Sequence, residues 1–423
     1  MPKSKAEKTE KTEKTAATKA KPKRPKKKAD AAPPEIPEGA SLDEVMAIVN
    51  RGRERPLLKR ASEAANPFML RRPFGLPSLD IAIGGGMPAG GAVQIGAKDS
   101  VGKSALANCA AAMNQRIYGK NSRILWVCFE LPYDKPHGRI NGVLVSSSET
   151  DIEHEQLERA CRDLPPLTKT EIAERKKQIG EFIVADSDTA EARLDSIVRI
   201  LAANVCQLIV VDSMAAITTK YRIDTDMDHD PRQMATAWLV SQFQQLCWHY
   251  YANPDTDELN WTTLIVLNQA RAKKKRTNSI KERDWEISGA HAFRHGKLLD
   301  LMLTNGDRID VDGRRIGKHV GWEVTKGKAG CHEGGRGELA YYFAHGFDRY
   351  SDLVSTARRN GMVVKSGRTY DLITADKEVL AEGLTYGTGG VELARTFRKD
   401  PDLFQKTYLA CLEAAEVSCL HKL

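Results

Sequence analysis

No run of 18 or more apolar residues occurs in the chain, so no transmembrane helix is expected. Cys-x-x-Cys pairs are missing too. The eight cysteines (Cys109, Cys128, Cys161, Cys206, Cys247, Cys331, Cys411 and Cys419) are scattered, and Cys128 and Cys206 fall inside apolar runs. A thiol in such a run behaves as a small buried hydrophobe. This pattern argues against a disulfide framework or a zinc site and predicts a reducing, cytoplasmic setting. The amino terminus lacks an apolar segment and is charged from its third residue, which excludes a secretory signal. Its glutamates fit a mitochondrial leader poorly. No internal repeat is present.

Acidic residues are sparse at the start of the chain. Residues 1–34 hold eleven Lys and one Arg against three Glu and one Asp, a net +8 that equals the formal net charge of all 423 residues. The remainder is near neutral, so any pull on nucleic acid comes from this tail and from local patches. Residues 1–38 also have almost no large apolar side chains and cannot offset the entropy of ordering, which predicts a disordered basic tail. A DNA-attracting arm and a solubilising tail both fit it.

The rest divides by pattern. Residues 39–72 read as a short helix and linker, a subunit-interface segment or one that packs on its own domain. Ser41 and Glu44 make a capping box, and Leu42, Val45, Met46 and Val49 follow at helical spacing. Residues 73–348 alternate apolar strands (92–95, 124–129, 207–211, 263–267) with helices (104–118, 190–204, 231–251). This is the pattern of an α/β fold on a mostly parallel, buried sheet. Residues 147–180 are polar, with a Pro165-Pro166 break and a second capping box at Thr168/Glu171, and look like a surface insertion. Residues 349–423 change style. A helix over 351–359, a hairpin over 362–373 and helices near 388–397 and 400–415 predict a small α+β C-terminal domain.

The strand at 92–95 runs into Ala97-Lys98-Asp99-Ser100-Val101-Gly102-Lys103-Ser104-Ala105 and then a helix. This is a phosphate loop with alanine in place of its first glycine. Backbone N–H groups and the helix N-terminus cradle phosphate oxygens. Lys103 is placed to neutralise the β- and γ-phosphates of ATP, and Ser104 to hold Mg2+. A second strand ends Ile209-Val210-Val211-Asp212, whose carboxylate is the second candidate Mg2+ ligand. A third ends at Glu130, which suits either polarisation of an attacking water or a structural cap. A fourth ends Asn268-Gln269, an amide able to sense the γ-phosphate. Open α/β sheets bind ligands where such strand ends converge.

Taken together, these motifs resemble those of the bacterial RecA recombinases. The resemblance rests on Ser78–Gly86 and Met87–Gly91 before the loop, on Asp212–Ala216, on Asn268–Arg271 and on Val324–Lys328. Their order and approximate spacing hold from about residue 41 to 416. The resemblance implies a RecA-like P-loop ATPase core in a divergent bacterial or phage-type member. It makes Glu130 the catalytic base and Asp134 an adenine contact. His137 stands where the family places a stacking tyrosine, and His295 where it tends to carry an aromatic. Gln269 would couple the γ-phosphate to DNA, and Lys326 and Lys328 would reach a neighbour's ATP.

Behind Gln269 lie Arg271, Lys273, Lys274, Lys275, Arg276, Lys281 and Arg283. Alone, such a run reads as a solvated loop. Its position behind the sensor strand favours DNA phosphate contacts, and Trp285 is suited to stack on a base or to pack. The other loop, Thr218–Arg232, carries Asp224, Asp226, Asp228 and Asp230. His229 and Ala235 stand where a calcium loop needs Gly and Glu, which excludes calcium.

The expected activity is a DNA-dependent ATPase that polymerises on single-stranded DNA and exchanges it with homologous double-stranded DNA as a helical filament. A ring-forming helicase of the same core fold and an ATP-switched coat protein with little turnover are the competing readings. The helix at 41–50 and the Lys326/Lys328 pair favour the filament.

Overall fold

The structure, a computed structural model, describes residues 36–53, 56–63, 67–145, 149–160, 165–178, 180–220, 233–252, 259–272, 285–287 and 296–417. The basic tail lies outside them, apart from its last three residues. The chain separates into two compact units, Met1–Ala65 and Asn66–Leu423.

In the first unit, helix α1 (Leu42–Asn50) starts at the predicted capping box. Ser41 N–H donates to Glu44 Oε2 at 2.8 Å, and Glu44 N–H donates to Ser41 Oγ at 3.4 Å. The apolar stripe of α1 contributes no buried residue.

The second unit is built on one large sheet. Its elements are β1 (Arg71–Arg72), α2 (Pro77–Ala82), β2 (Met87–Pro88), β3 (Gly91–Ala97), α3 (Lys103–Tyr118), β4 (Arg123–Cys128), α4 (Lys135–Ile140), α5 (Glu149–Ala160), α6 (Lys169–Gln178), β5 (Glu181–Ala185), α7 (Ala190–Ala203), β6 (Leu208–Asp212), α8 (Gln233–Ala252), β7 (Thr263–Ala272), β8 (Trp285–Ile287), β9 (Leu299–Val311), β10 (Arg314–Gly327), β11 (Arg336–Tyr342), β12 (Gly346–Phe347) and α9 (Arg349–Arg359). The order across the sheet is β12-β11-β10-β9-β3-β7-β6-β4-β5, and β8 pairs with the outer end of β7. All pairs from β9 to β5 are parallel, whereas β9 to β12 are antiparallel.

Alternation along the central strands sorts their side chains onto two faces. Val93, Ile95, Ile124, Trp126, Val210 and Ile265 pack with α3 on one face. Leu125, Val127, Ile209, Val211, Leu264 and Val266 pack with α7 and α8 on the other. Covered on both faces, these strands carry nearly continuous apolar runs. Helix α3 is buried along Ala105–Gln115 because alanines let it seat closely.

Within the stretch read as a surface insertion, Glu149–Ala160 form α5 and Lys169–Gln178 form α6. The Thr168/Glu171 box opens α6, with Glu171 N–H donating to Thr168 Oγ1 at 3.2 Å. The C-terminal segment continues from α9 into β13 (Val363–Ser366), β14 (Thr369–Ile373), β15 (Val379–Leu384), α10 (Val391–Lys399) and α11 (Pro401–Ala414). It has its own apolar cluster, including Leu353, Leu372, Phe397 and Tyr408. Asp80 ties it to the core. That carboxylate accepts N–H bonds from Phe74, Gly75 and Leu76 at 2.7, 2.8 and 2.9 Å, and the Tyr408 hydroxyl at 2.9 Å.

Two features correct the sequence reading. The predicted C-terminal hairpin is a three-stranded sheet, extended by β15, whose residues lack a clean alternation. The antiparallel strands β9 and β10 are long and were not anticipated. Their turn is Asp312-Gly313, both at positive φ (50° and 75°), the conformation that tightens a two-residue hairpin. Six cysteines are free and buried among the described residues. No helix among those residues is long and apolar enough to cross a membrane.

Candidate nucleotide-binding site

Strand β3 delivers the chain to residues 98–102. Gly102 lies at φ 135°, a conformation that favours glycine, and α3 begins at the next residue. No side chain caps this helix, so its first N–H groups remain available to an anion. Lys103 Nζ lies over the loop and donates to the carbonyls of Lys98 at 3.2 Å and Ala97 at 3.5 Å.

Parallel neighbours bring the other candidates to the same sheet edge. Ser104 Oγ donates to Asp212 Oδ2 at 2.9 Å, joining residues 108 positions apart in sequence. Ser213 Oγ donates to Glu130 Oε2 at 3.3 Å. Gln269 follows Asn268 on β7, opposite Ala97 of β3. A cavity of about 500 Å³ is lined by Lys103, Ser104, Glu130, Asp134, His137, Asp212 and Gln269, together with Asp99, Ser100 and Trp126. Its aromatic floor is tightly built. Trp126 meets Tyr133 edge-on at 4.9 Å and stacks on Phe182 at 6.3 Å.

Burial pushes the Asp212 carboxyl up from its ordinary value. The Ser104 hydroxyl pulls it back, Glu130 raises it further and Lys103 opposes that rise. Burial also pulls the Lys103 ammonium down, against Asp99, Asp212 and Glu130. Each charge therefore makes the other tolerable in a partly desolvated place. The Ser104 hydroxyl and the Asp212 carboxylate are hard oxygen donors within 2.9 Å of each other, a set that fits Mg2+.

Asp134 is engaged as the N-cap of α4, accepting the His137 N–H at 2.9 Å. Burial pulls the His137 imidazole down, which favours its uncharged form. Its Nε2 lies 3.3 Å from the Tyr341 hydroxyl. A second recess of about 220 Å³ adjoins the first and is lined by Ser100, Val101, Gly102, Ala105, His137, Lys318, Tyr341 and Phe343.

The sequence reading missed Lys318, Tyr341 and Phe343. Lys318 Nζ donates to the Ser100 carbonyl of the loop and to Asn305 Oδ1, the latter at 3.1 Å. An Asp-Gly hairpin signal at 312–313 was available and would have set the β9–β10 register. Nothing local shows that β10 docks against the loop.

Other candidates fall elsewhere. Lys326 lies one residue before the end of β10, opposite Asp300, and Asp300 pairs with Gln94 in the middle of β3. Neither Lys326 nor Lys328 lines either cavity. Arg271 is exposed on β7. Lys273, Lys274, Lys275, Arg276, Lys281, Arg283 and His295 lie outside the described residues, as do Asp224, Asp226, Asp228 and Asp230.

A phosphate loop between a central strand and a buried helix, with a carboxylate from a parallel strand beside its serine, defines the class: a phosphate-loop α/β protein. No known-family profile matches the chain. It is similar to Protein RecA of Thermus thermophilus, 26% identical over 345 residues that span 81% of this chain and 85% of that protein. Protein RecA of Leptospira biflexa is 25% identical over 331 residues, 78% of this chain and 70% of that one. Protein RecA of Streptomyces avermitilis is 24% identical over 367 residues, 86% and 81% of the two chains. Within its class the chain is a divergent relative of the RecA proteins, with a RecA-like core.

Proposed function

We propose that this protein is a cytoplasmic DNA-dependent ATPase. In this reading it assembles on single-stranded DNA as a helical homo-oligomer and pairs that strand with homologous duplex in recombination and repair. The observation that carries it is the convergence of Lys103, the Ser104–Asp212 pair, Glu130 and Gln269 on one cavity at the strand ends. Similarity to RecA proteins along about four fifths of the chain supports the DNA side.

The loop N–H groups and Lys103 hold the phosphate chain of ATP and neutralise charge that shifts to the leaving oxygens. Mg2+, held by Ser104 and Asp212, supplies further charge neutralisation at the phosphates. Glu130 accepts the proton of the water that attacks the γ-phosphorus, as the bond to the β-phosphate oxygen breaks. Asp134 and His137 flank the base. Gln269 registers the γ-phosphate, and two residues further along the same strand face Arg271 passes its presence to the basic loop. That loop neutralises DNA phosphates without reading sequence. Lys326 and Lys328 serve the ATP of a neighbouring subunit.

Phosphate release measured with and without single-stranded DNA tests this reading. Turnover is expected to rise with DNA and to vanish in Lys103→Ala, which removes the loop's cation. Wild-type turnover in that variant, or turnover indifferent to DNA, would sink the proposal.

A further inference from the structure

Two guanidinium groups meet beside α3 and, among the described residues, no carboxylate forms an ion pair with either. Arg116 lies in the last turn of α3, and Arg349 is the first residue of α9. A Cβ placed on Gly142 would lie 3.6 Å from Nη2 of Arg349 and 4.0 Å from Nη2 of Arg116. The two nitrogens are thus no further apart than those distances combined.

Arg349 is only 8% exposed, and its Nη1 is buried without a hydrogen-bond partner. Buried arginines are ordinarily paired, because an uncompensated buried charge is costly. Here the charge that acts most strongly on its neighbour Arg116 has the same sign. Arg349 pushes the Arg116 guanidinium down from its ordinary value. Gly142, at φ 90°, keeps side-chain bulk out of the space that both groups face. Arg116 itself is exposed, so the pair lies at the protein surface.

Paired guanidinium forks match the oxygens of a tetrahedral anion and can each donate two bonds. The geometry points to an oxyanion site in which Arg116 and Arg349 together bind a free phosphate ion and so join α3 to α9. A free ion fits better than a nucleic-acid backbone, since Arg349 is too deeply set for a polymer to reach. The site is separate from the phosphate loop. Arg116 is thirteen residues beyond Lys103 on one helix, roughly 20 Å at 1.5 Å per residue.

Thermal unfolding of the full-length Lys103→Ala protein tests the site, because that background blunts the response of the phosphate loop. Inorganic phosphate at low millimolar concentration replaces chloride at constant ionic strength. The expected result is a saturable rise in melting temperature, on the order of 2 °C. Adding Arg349→Leu is expected to abolish the rise. In phosphate-free buffer the same change should leave the protein at least as stable, since it removes an unpaired buried charge. If the leucine variant does not fold, Arg116→Gln in the Lys103→Ala background is expected to show the same loss. No saturable rise in Lys103→Ala would overturn the site. An equal rise in either double variant would do so as well, since it would reduce the effect to the general exclusion of phosphate from protein surfaces.

Discussion

Glu130 leaves the sheet two residues beyond the end of β4, where the Ser213 hydroxyl holds its carboxylate over the cavity. At this scale much of the site was legible, because its chemistry is local. A strand, a loop ending Gly-Lys-Ser and a helix occupy adjacent residues, and the hydrogen bond from Ser104 to Asp212 only closes what each motif announced. Lys318 was illegible for the opposite reason. It sits 218 residues from the Ser100 carbonyl it binds, on a strand whose partners the local pattern did not disclose. Glu130→Gln keeps the side chain's size and loses its basicity. It should retain ATP binding and slow hydrolysis by at least about a hundredfold, the scale of a lost general base. A nucleotide-binding titration beside single-turnover hydrolysis separates the two effects, and unchanged hydrolysis would place the base elsewhere.

At the scale of elements, β9 connects the loop-bearing strand to the long hairpin through buried polar groups. Lys297 Nζ pairs with Asp300 Oδ2 at 2.5 Å, and Gln94 Nε2 of β3 donates to Asp300 Oδ1 at 3.0 Å. Lys297 is 3% exposed and Asp300 8%. Apolar periodicity revealed β3, β4, β6 and β7, since double-sided burial makes each a nearly continuous apolar run. It did not reveal the far half of β9 or the near half of β10, where residues such as Asp307, Arg308, Arg314 and Arg315 face solvent. Removing one partner of a buried ion pair leaves the other uncompensated. Asp300→Ala is therefore expected to destabilise the fold by about 3–5 kcal/mol. Lys297→Met/Asp300→Leu should recover most of that loss, because the double change removes the charge as well as its partner. Denaturant midpoints of both variants check this, and a single variant as stable as wild type would show that the pair contributes little.

For the whole molecule, the placement of Lys326 and Lys328 is the decisive feature. Lys326 shares its register position with Asp300 and, one strand further, with Gln94. Along β3 that position lies three residues before Ala97, where the phosphate loop begins, and neither lysine lines the cavity of its own chain. Burial pulls the Lys326 ammonium down, with Lys328 and Lys297 adding to the fall and Asp300 and Glu333 opposing it. If the two lysines serve the ATP of a neighbouring subunit, Lys326→Ala/Lys328→Ala should still bind nucleotide as a monomer. It should lose DNA-stimulated hydrolysis and the ATP-dependent rise in DNA affinity together. Mixing it with Lys103→Ala tests the arrangement directly, because an intact loop from one protein then meets intact lysines from the other and some hydrolysis returns. Should the mixture stay as inactive as either parent while co-assembly is confirmed by labelled subunits, the lysines do not act across an interface.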